Sequence, residues 1–175
     1  RSGIIPAVSS DHTPVLEAPV IIRPATRKDL EVIGDLWVEL MSFHADLDAR
    51  FGIPDGGRMK YMRHVTPMLH DDMCRPLVAV VAEGVVGYLL AYVAENPPIF
   101  PIPRYGFIAD LCVTSACRRR GVGKRLVADA LAWFRRHGVT SIQLNAAHHN
   151  PVSQAFWRGI GCTDYLDHMW LALAP

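Results

Sequence analysis

The chain is poor in the features that hold a small protein together by covalent or metal links. It has 4 cysteines, Cys74, Cys112, Cys117 and Cys162, with no C-x-x-C pair and no histidine at a zinc-ligand spacing from them. A zinc or disulfide framework is therefore not expected. Free, mostly buried thiols in a reducing, cytoplasmic setting fit better. An excess of one charge is missing too. With 18 Lys and Arg against 17 Asp and Glu, the chain lacks the bulk charge of a nucleic-acid or acidic-membrane binder. Nor is there an unbroken apolar run long enough to span a membrane. Residues 77–94 come nearest, but Glu83 and Gly84 interrupt them near the middle, and the flanks are rich in Val and aromatic residues. Two strands joined by a tight turn suit that pattern better than a helix. No internal repeat is present.

What remains is ordinary globular material, enough for one α/β domain. Residues 1–19 carry three prolines and no periodicity, and read as a flexible arm rather than a signal peptide. Residues 20–23 form a short apolar strand closed by Pro24. Thr26 then caps a helix whose apolar positions Leu30, Ile33, Leu36, Trp37, Leu40 and Met41 recur at helical spacing and fade near residues 43–47. A second helix is predicted over 58–69, with Met59, Met62, Val65 and Leu69 on one side. The 77–94 hairpin and a proline-rich loop at 96–103 lead to a buried strand over 106–113. Residues 122–137 make the clearest amphipathic helix, with Val122, Leu126, Val127, Ala130, Leu131 and Phe134 on its apolar face and Gly138 at its end. A strand over 141–145, a short helix over 152–158 and a last strand over 168–172 complete the pattern. Strand and helix alternate after residue 106, which implies parallel pairing around crossover helices.

The densest cluster of one charge lies where the strand ending at 113 meets the amphipathic helix. Arg118, Arg119, Arg120, Lys124 and Arg125 fall within eight positions and surround Gly121 and Gly123. A helix start offers backbone N–H groups without intrahelical partners, together with a favourable dipole. Glycines there let a bulky anion approach the amides. A phosphate or pyrophosphate suits that arrangement, with Arg118 able to add a contact from the side. A Walker loop is excluded because its spacing and its Gly-Lys-Ser/Thr ending are both missing. The dinucleotide fingerprint is excluded because Leu126 stands where its third Gly belongs. A solvated basic helix start remains the alternative reading of these residues taken alone.

The run Leu111-Cys112-Val113-Thr114-Ser115-Ala116-Cys117-Arg118-Arg119-Arg120-Gly121-Val122-Gly123 resembles the central motif of the GCN5-related N-acetyltransferases. Asn150, Phe156-Trp157 and Gly161 are similar to the later motif of that family. Ile22-Arg23-Pro24-Ala25-Thr26 and Gly84-Val85-Val86-Gly87-Tyr88 agree with its earlier segments, so the likeness runs in order from about 20 to 172. It implies a single domain over 20–175 with a mixed sheet of about six to seven strands flanked by helices. It also implies transfer of an acetyl group from acetyl-CoA to an amine, small or on a protein, by direct attack in a ternary complex. A non-catalytic acyl-CoA-binding module of the same fold is the alternative.

The resemblance further implies roles for individual residues. The amides of Arg119, Arg120, Gly121, Val122, Gly123 and Lys124 would hold the coenzyme pyrophosphate, with Arg118 beside it. Main-chain groups of Cys112 and Val113 would pair with the pantetheine arm in a slot where the fourth and fifth strands splay apart. Asn150 and Ser153 would approach the coenzyme from the short helix, and the N–H of Val113 would stabilise the oxyanion. Two family positions differ. Ala109 stands where many relatives carry a catalytic Glu, and strand alternation turns the neighbouring Asp110, the candidate base, to the opposite face. Trp157 replaces the usual Tyr acid and has no proton to give near neutral pH. Tyr165, Ser153, His148 and His149 are the substitutes on offer. His44, Asp46, Asp48, Asp55, Asp71 and Asp72 fall in the regions that shape the acceptor site. Apolar residues beyond 165 would suit a homodimer.

Overall fold

The computed structural model describes residues 19–173; the proposed flexible arm lies, apart from Pro19, outside them. Five strands form one sheet in the order β1-β2-β3-β4-β5: β1 (Ile21–Pro24), β2 (Cys74–Val81), β3 (Gly84–Glu95), β4 (Arg104–Val113) and β5 (Ile142–Leu144). The first four pair antiparallel. The last pair, β4 and β5, is parallel, because α3 (Val122–Arg136) carries the chain over the sheet between them. On the opposite face lie α1 (Leu30–Leu47) and α2 (Gly57–Met68). The short α4 (Pro151–Ile160) follows β5.

Alternation along the strands divides the interior into two cores. Leu77, Ala79, Leu89, Ala91 and Ile108 point toward α3, where they meet Leu126, Val127, Ala130, Phe134 and the Trp157 of α4. Val78, Tyr88, Leu90 and Cys112 point the other way, onto Leu30, Ile33, Leu36, Tyr61, Met62 and Val65 of α1 and α2. Burial of these side chains, worth about 1.5–3 kcal/mol for each large aliphatic or aromatic one, holds the helices to the sheet. Backbone contact is close in places. A Cβ at Gly106 would lie 2.6 Å from the Phe134 ring, so only glycine lets α3 sit this near to β4. The entry to α1 is secured by Asp29, which accepts from the Thr26 amide and hydroxyl and from Arg23 through both oxygens.

Two expectations are corrected. The sheet has five strands rather than six or seven, and residues 168–172 are not a strand among the described residues. β5, at the edge of the sheet, is three residues long. Tyr165, Leu166, Met169, Trp170, Leu171 and Leu173 stay exposed, and Trp170 lies over the guanidinium of Arg50 at 5.2 Å. On α2 the inward residue is Tyr61 rather than Met59, which is half exposed; the buried line runs Gly57, Tyr61, Val65 at a four-residue spacing. Among the described residues no helix is long and apolar enough to cross a membrane.

Candidate active site

β4 makes the site, through one extra residue. Its register with β3 runs Ile108↔Ala91 and then Asp110↔Leu90, so Ala109 has no partner and forms a β-bulge. A bulge reverses the facing of every later residue and bends the strand. Ile108 therefore points to the α3 core, while Asp110 and Cys112 both point to the α1–α2 side. Plain alternation sets Asp110 on the same face as Ile108; the bulge sets it on the opposite one, toward α1 and α2. Pairing with β5 also ends here. Gly106, Phe107 and Ile108 oppose Ile142, Gln143 and Leu144, and beyond Ile108 β4 runs on to Val113 with no partner on that side among the described residues.

The open side of β4 presents alternate main-chain groups. The amide of Thr114 donates to the Val86 carbonyl and Cys112 sits opposite Tyr88, so the main chain of Cys112 faces β3 and that of Val113 faces the gap. Arg118 Nε donates to the Val113 carbonyl at 2.9 Å, which leaves the Val113 N–H as the free group there. Arg118 does not reach toward the helix start. Its Nη2 contacts Glu39 of α1 at 2.7 Å, and Glu39 also accepts from the Ser115 amide at 3.1 Å. This latch ties the end of β4 to α1.

The start of α3 is the candidate anion site. Arg119 and Gly121 both have left-handed backbone, with φ of 63° and 80°, which turns successive amides toward one side. The first helical bond runs from the Arg125 amide to the Gly121 carbonyl. The amides of Val122, Gly123 and Lys124 precede it and have no intrahelical partner. A Cβ on Gly121 would meet nothing within 4 Å, so the space in front of the turn is open, whereas one on Gly123 would touch the Phe156 ring at 3.4 Å. Gly123 thus serves the packing of α4 as well as access. The side chains of Arg119 and Lys124 are exposed and that of Arg120 is half-buried.

Asp110 anchors a chain of hydroxyls. Tyr61 donates its proton to Asp110 Oδ2 at 2.7 Å, and the hydroxyls of Tyr61 and Tyr88 lie 3.3 Å apart, so Tyr88 donates to Tyr61. The other carboxylate oxygen, Oδ1, makes no hydrogen bond among the described residues, and the residue as a whole is partly exposed. Burial raises the pKa of Asp110, opposed by the Tyr61 hydrogen bond and by the nearby His64 and His44. Burial and the Asp110 charge also push the Tyr61 hydroxyl far above its ordinary value, so Tyr61 keeps its proton. Burial raises Cys112 to about 12, with Glu39 adding to the shift, which makes this thiol an inert core group.

The remaining candidates lie on α4 and beyond it. Asn150 is buried and caps α4, accepting from the Ser153 amide at 3.0 Å; its Nδ2 lies 3.3 Å from His44 Nε2. Trp157 is buried in the α3-side core. Tyr165 is 73% exposed and joins no hydrogen bond of the Asp110 chain. Sequence reasoning missed Tyr61, Tyr88, His64 and Glu39. A Tyr four residues before Val65 was the one legible sign for Tyr61; the rest carry no local signal.

The family model described as Acetyltransferase (GNAT) family matches residues 40–162. Over 58 residues the chain is 33% identical to GCN5-related N-acetyltransferase 6, chloroplastic, of Arabidopsis thaliana; the match covers 33% of this chain and 20% of that protein, so the chain spans about a fifth of that relative's length. Among solved structures, a mutant of a Bacillus halodurans protein superposes with a TM-score of 0.77 at 22% identity, covering 88% of this chain and 99% of that one. An aminoglycoside N-acetyltransferase in complex with CoA superposes with a TM-score of 0.69 at 18% identity, covering 89% and 95%.

Proposed function

The chain belongs to the GNAT family of acetyltransferases, and from that premise we propose that it moves the acetyl group of acetyl-CoA onto an amine, with Asp110 as the base. The observation that carries this reading is the bulge at Ala109, which sets the partly exposed Asp110 on the same strand segment as the Val113 amide that faces the gap. The turn at Arg119–Gly121 and the unpaired amides of Val122, Gly123 and Lys124 fit a pyrophosphate, since the space a Cβ would occupy at Gly121 is empty. Bound there, the coenzyme supplies an activated thioester, and the protein's own groups do the rest.

An alkylamine with a pKa near 10.4 is neutral in about one molecule in 2,500 at pH 7, a cost of roughly 4.6 kcal/mol. Asp110 reduces that cost by taking the proton, directly or through water, on Oδ1. The hydroxyl chain from Tyr88 and Tyr61 holds Oδ2 in place. As the carbonyl oxygen gains charge, the N–H of Val113 donates to it. The leaving thiolate takes a proton from water, because Trp157, at the usual acid position, is a core residue. Positioning supplies much of the remaining rate.

The acceptor enters on the α1–α2 side, where Asp110 lies, and the exposed Asp46 of α1 and Asp55 before α2 would favour a cationic amine. The solved neighbour that acts on aminoglycosides makes a polyamine-like sugar a natural first candidate. Thiol release from acetyl-CoA, measured with an aminoglycoside, a polyamine and a lysine peptide in turn, tests the proposal. Release that depends on one amine supports it. Tight coenzyme binding with no release from any amine would instead favour a non-catalytic coenzyme-binding module.

A further inference from the structure

His44 of α1 meets Asn150, the N-cap of α4, in a polar contact whose proton positions are dictated. His44 Nδ1 lies 2.9 Å from the Leu40 carbonyl. A carbonyl only accepts, so the ring proton is on Nδ1 and Nε2 offers a lone pair. Asn150 Oδ1 accepts from the Ser153 amide at 3.0 Å, so its NH2 group is the end that faces Nε2, at 3.3 Å. Turning the Asn150 amide over would set NH2 against the Ser153 N–H and undo the cap of α4. The contact therefore works in one arrangement, a neutral Nδ1–H ring accepting from Asn150. A protonated ring presents N–H to NH2, and the two groups repel.

We infer that His44 is a positioning residue: while uncharged, it holds the Asn150 amide and with it the first turn of α4 at the edge of the coenzyme slot. This rests on the coenzyme reading given under Proposed function. The first turn of α4 leads to Phe156, which packs beside Gly123 of the anion cradle; loosening that turn disturbs the slot wall. Aromatic contacts from Phe43 and Phe51 fix the plane of the ring. The titratable groups around it are Asp110 on β4, His64 of α2 facing the same carboxylate, Asp48 paired with Arg50 just past α1, and His149, which faces Asp48. A proton added at Nε2 removes the lone pair that Asn150 donates to, so the contact opens on acidification.

Calorimetry with coenzyme A on the full chain, at about pH 8 and about pH 5.5, separates this from a packing role. His44→Gln keeps an acceptor without a titrating ring, and it is expected to bind as tightly as the parent at the higher pH and to lose nothing extra at the lower. The parent is expected to weaken by roughly three- to tenfold more than His44→Gln on acidification, the worth of one hydrogen bond. Any titration of the coenzyme phosphates is common to both proteins and cancels. Asn150→Asp retains the cap and accepts from a charged ring, so its dependence is expected to reverse. Nitrogen NMR of the coenzyme-free protein reads the contact itself: a neutral Nδ1–H ring at high pH, and an Asn150 side-chain amide signal that moves as the ring protonates. Parent and His44→Gln responding alike to pH, or an Nε2–H tautomer, would overturn the inference. Absence of coenzyme binding at either pH, with the NMR signature intact, would instead count against the coenzyme reading and leave the brace standing.

Discussion

Replacing Asp110 with asparagine separates the proposed chemistry from the fold that presents it. The substitution keeps the shape of the side chain and leaves an oxygen to accept from Tyr61, now at 2.7 Å from Oδ2. What is removed is the lone pair that takes the amine proton. A positioned general base is worth about 100-fold or more in rate, so kcat is expected to fall by about two orders of magnitude, ~2.7 kcal/mol in the barrier. Coenzyme affinity should change by less than about threefold, because the anion cradle lies on α3 and shares no hydrogen bond with Asp110. The pH behaviour follows from burial, which raises the Asp110 pKa above its ordinary value. A base works when ionised, so parental turnover climbs as pH rises through that raised value; the Asn variant lacks this limb. Stability has the opposite sign. A carboxyl whose folded pKa is raised contributes stability below its unfolded pKa and loses it as pH rises through the folded one, so at neutral pH the parent carries an unfavourable buried charge. Asp110→Asn should melt higher than the parent near neutral pH, and that difference should vanish in acid. Thiol release and thermal melts, each followed from about pH 4 to about pH 9, give both readings. A variant that turns over within about threefold of the parent with the same pH limb would refute Asp110 as the base.

Gly121→Asp adds a negative charge and a side chain at a residue with φ of 80°, where phosphates are expected to sit; coenzyme binding by calorimetry should drop below detection while circular dichroism stays that of a folded protein. Deleting Ala109 removes the bulge and its bend, while Ile108, Asp110 and Leu111 keep their pairing with Ala91, Leu90 and Leu89 and so keep their faces. The protein should therefore stay folded by circular dichroism, and turnover should fall because the bend that sets Asp110 beside the β4–β5 gap is lost. Trp157→Tyr trims a buried indole from the same core, so it should cost about 1–2 kcal/mol in stability and leave turnover per folded molecule no higher than the parent's. A stable variant with faster turnover would show that position to be a vacant acid site after all.

The helices and most strands were legible because their apolar residues recur at the period of the element. Leu126, Val127, Ala130 and Phe134 mark one face of α3, and nothing but a helix satisfies that spacing. The turn into α3 was legible for a related reason, since Gly121 and Gly123 beside a basic helix start act through local backbone. Three features were not legible, and each depends on contacts between residues far apart in the chain. The bulge at Ala109 arises from how β4 registers on β3, and no residue type there announces it; yet it decides which way Asp110 faces. The Glu39 latch draws Arg118 away from the cradle across 79 positions of sequence, a choice made only when α1 docks beside the end of β4. The apolar residues beyond 165 have strand-like composition, yet none of them is in a strand among the described residues, because a strand needs a paired neighbour as well as a suitable composition. Local periodicity dictates the elements; the register and docking of those elements decide which side chains meet at the site.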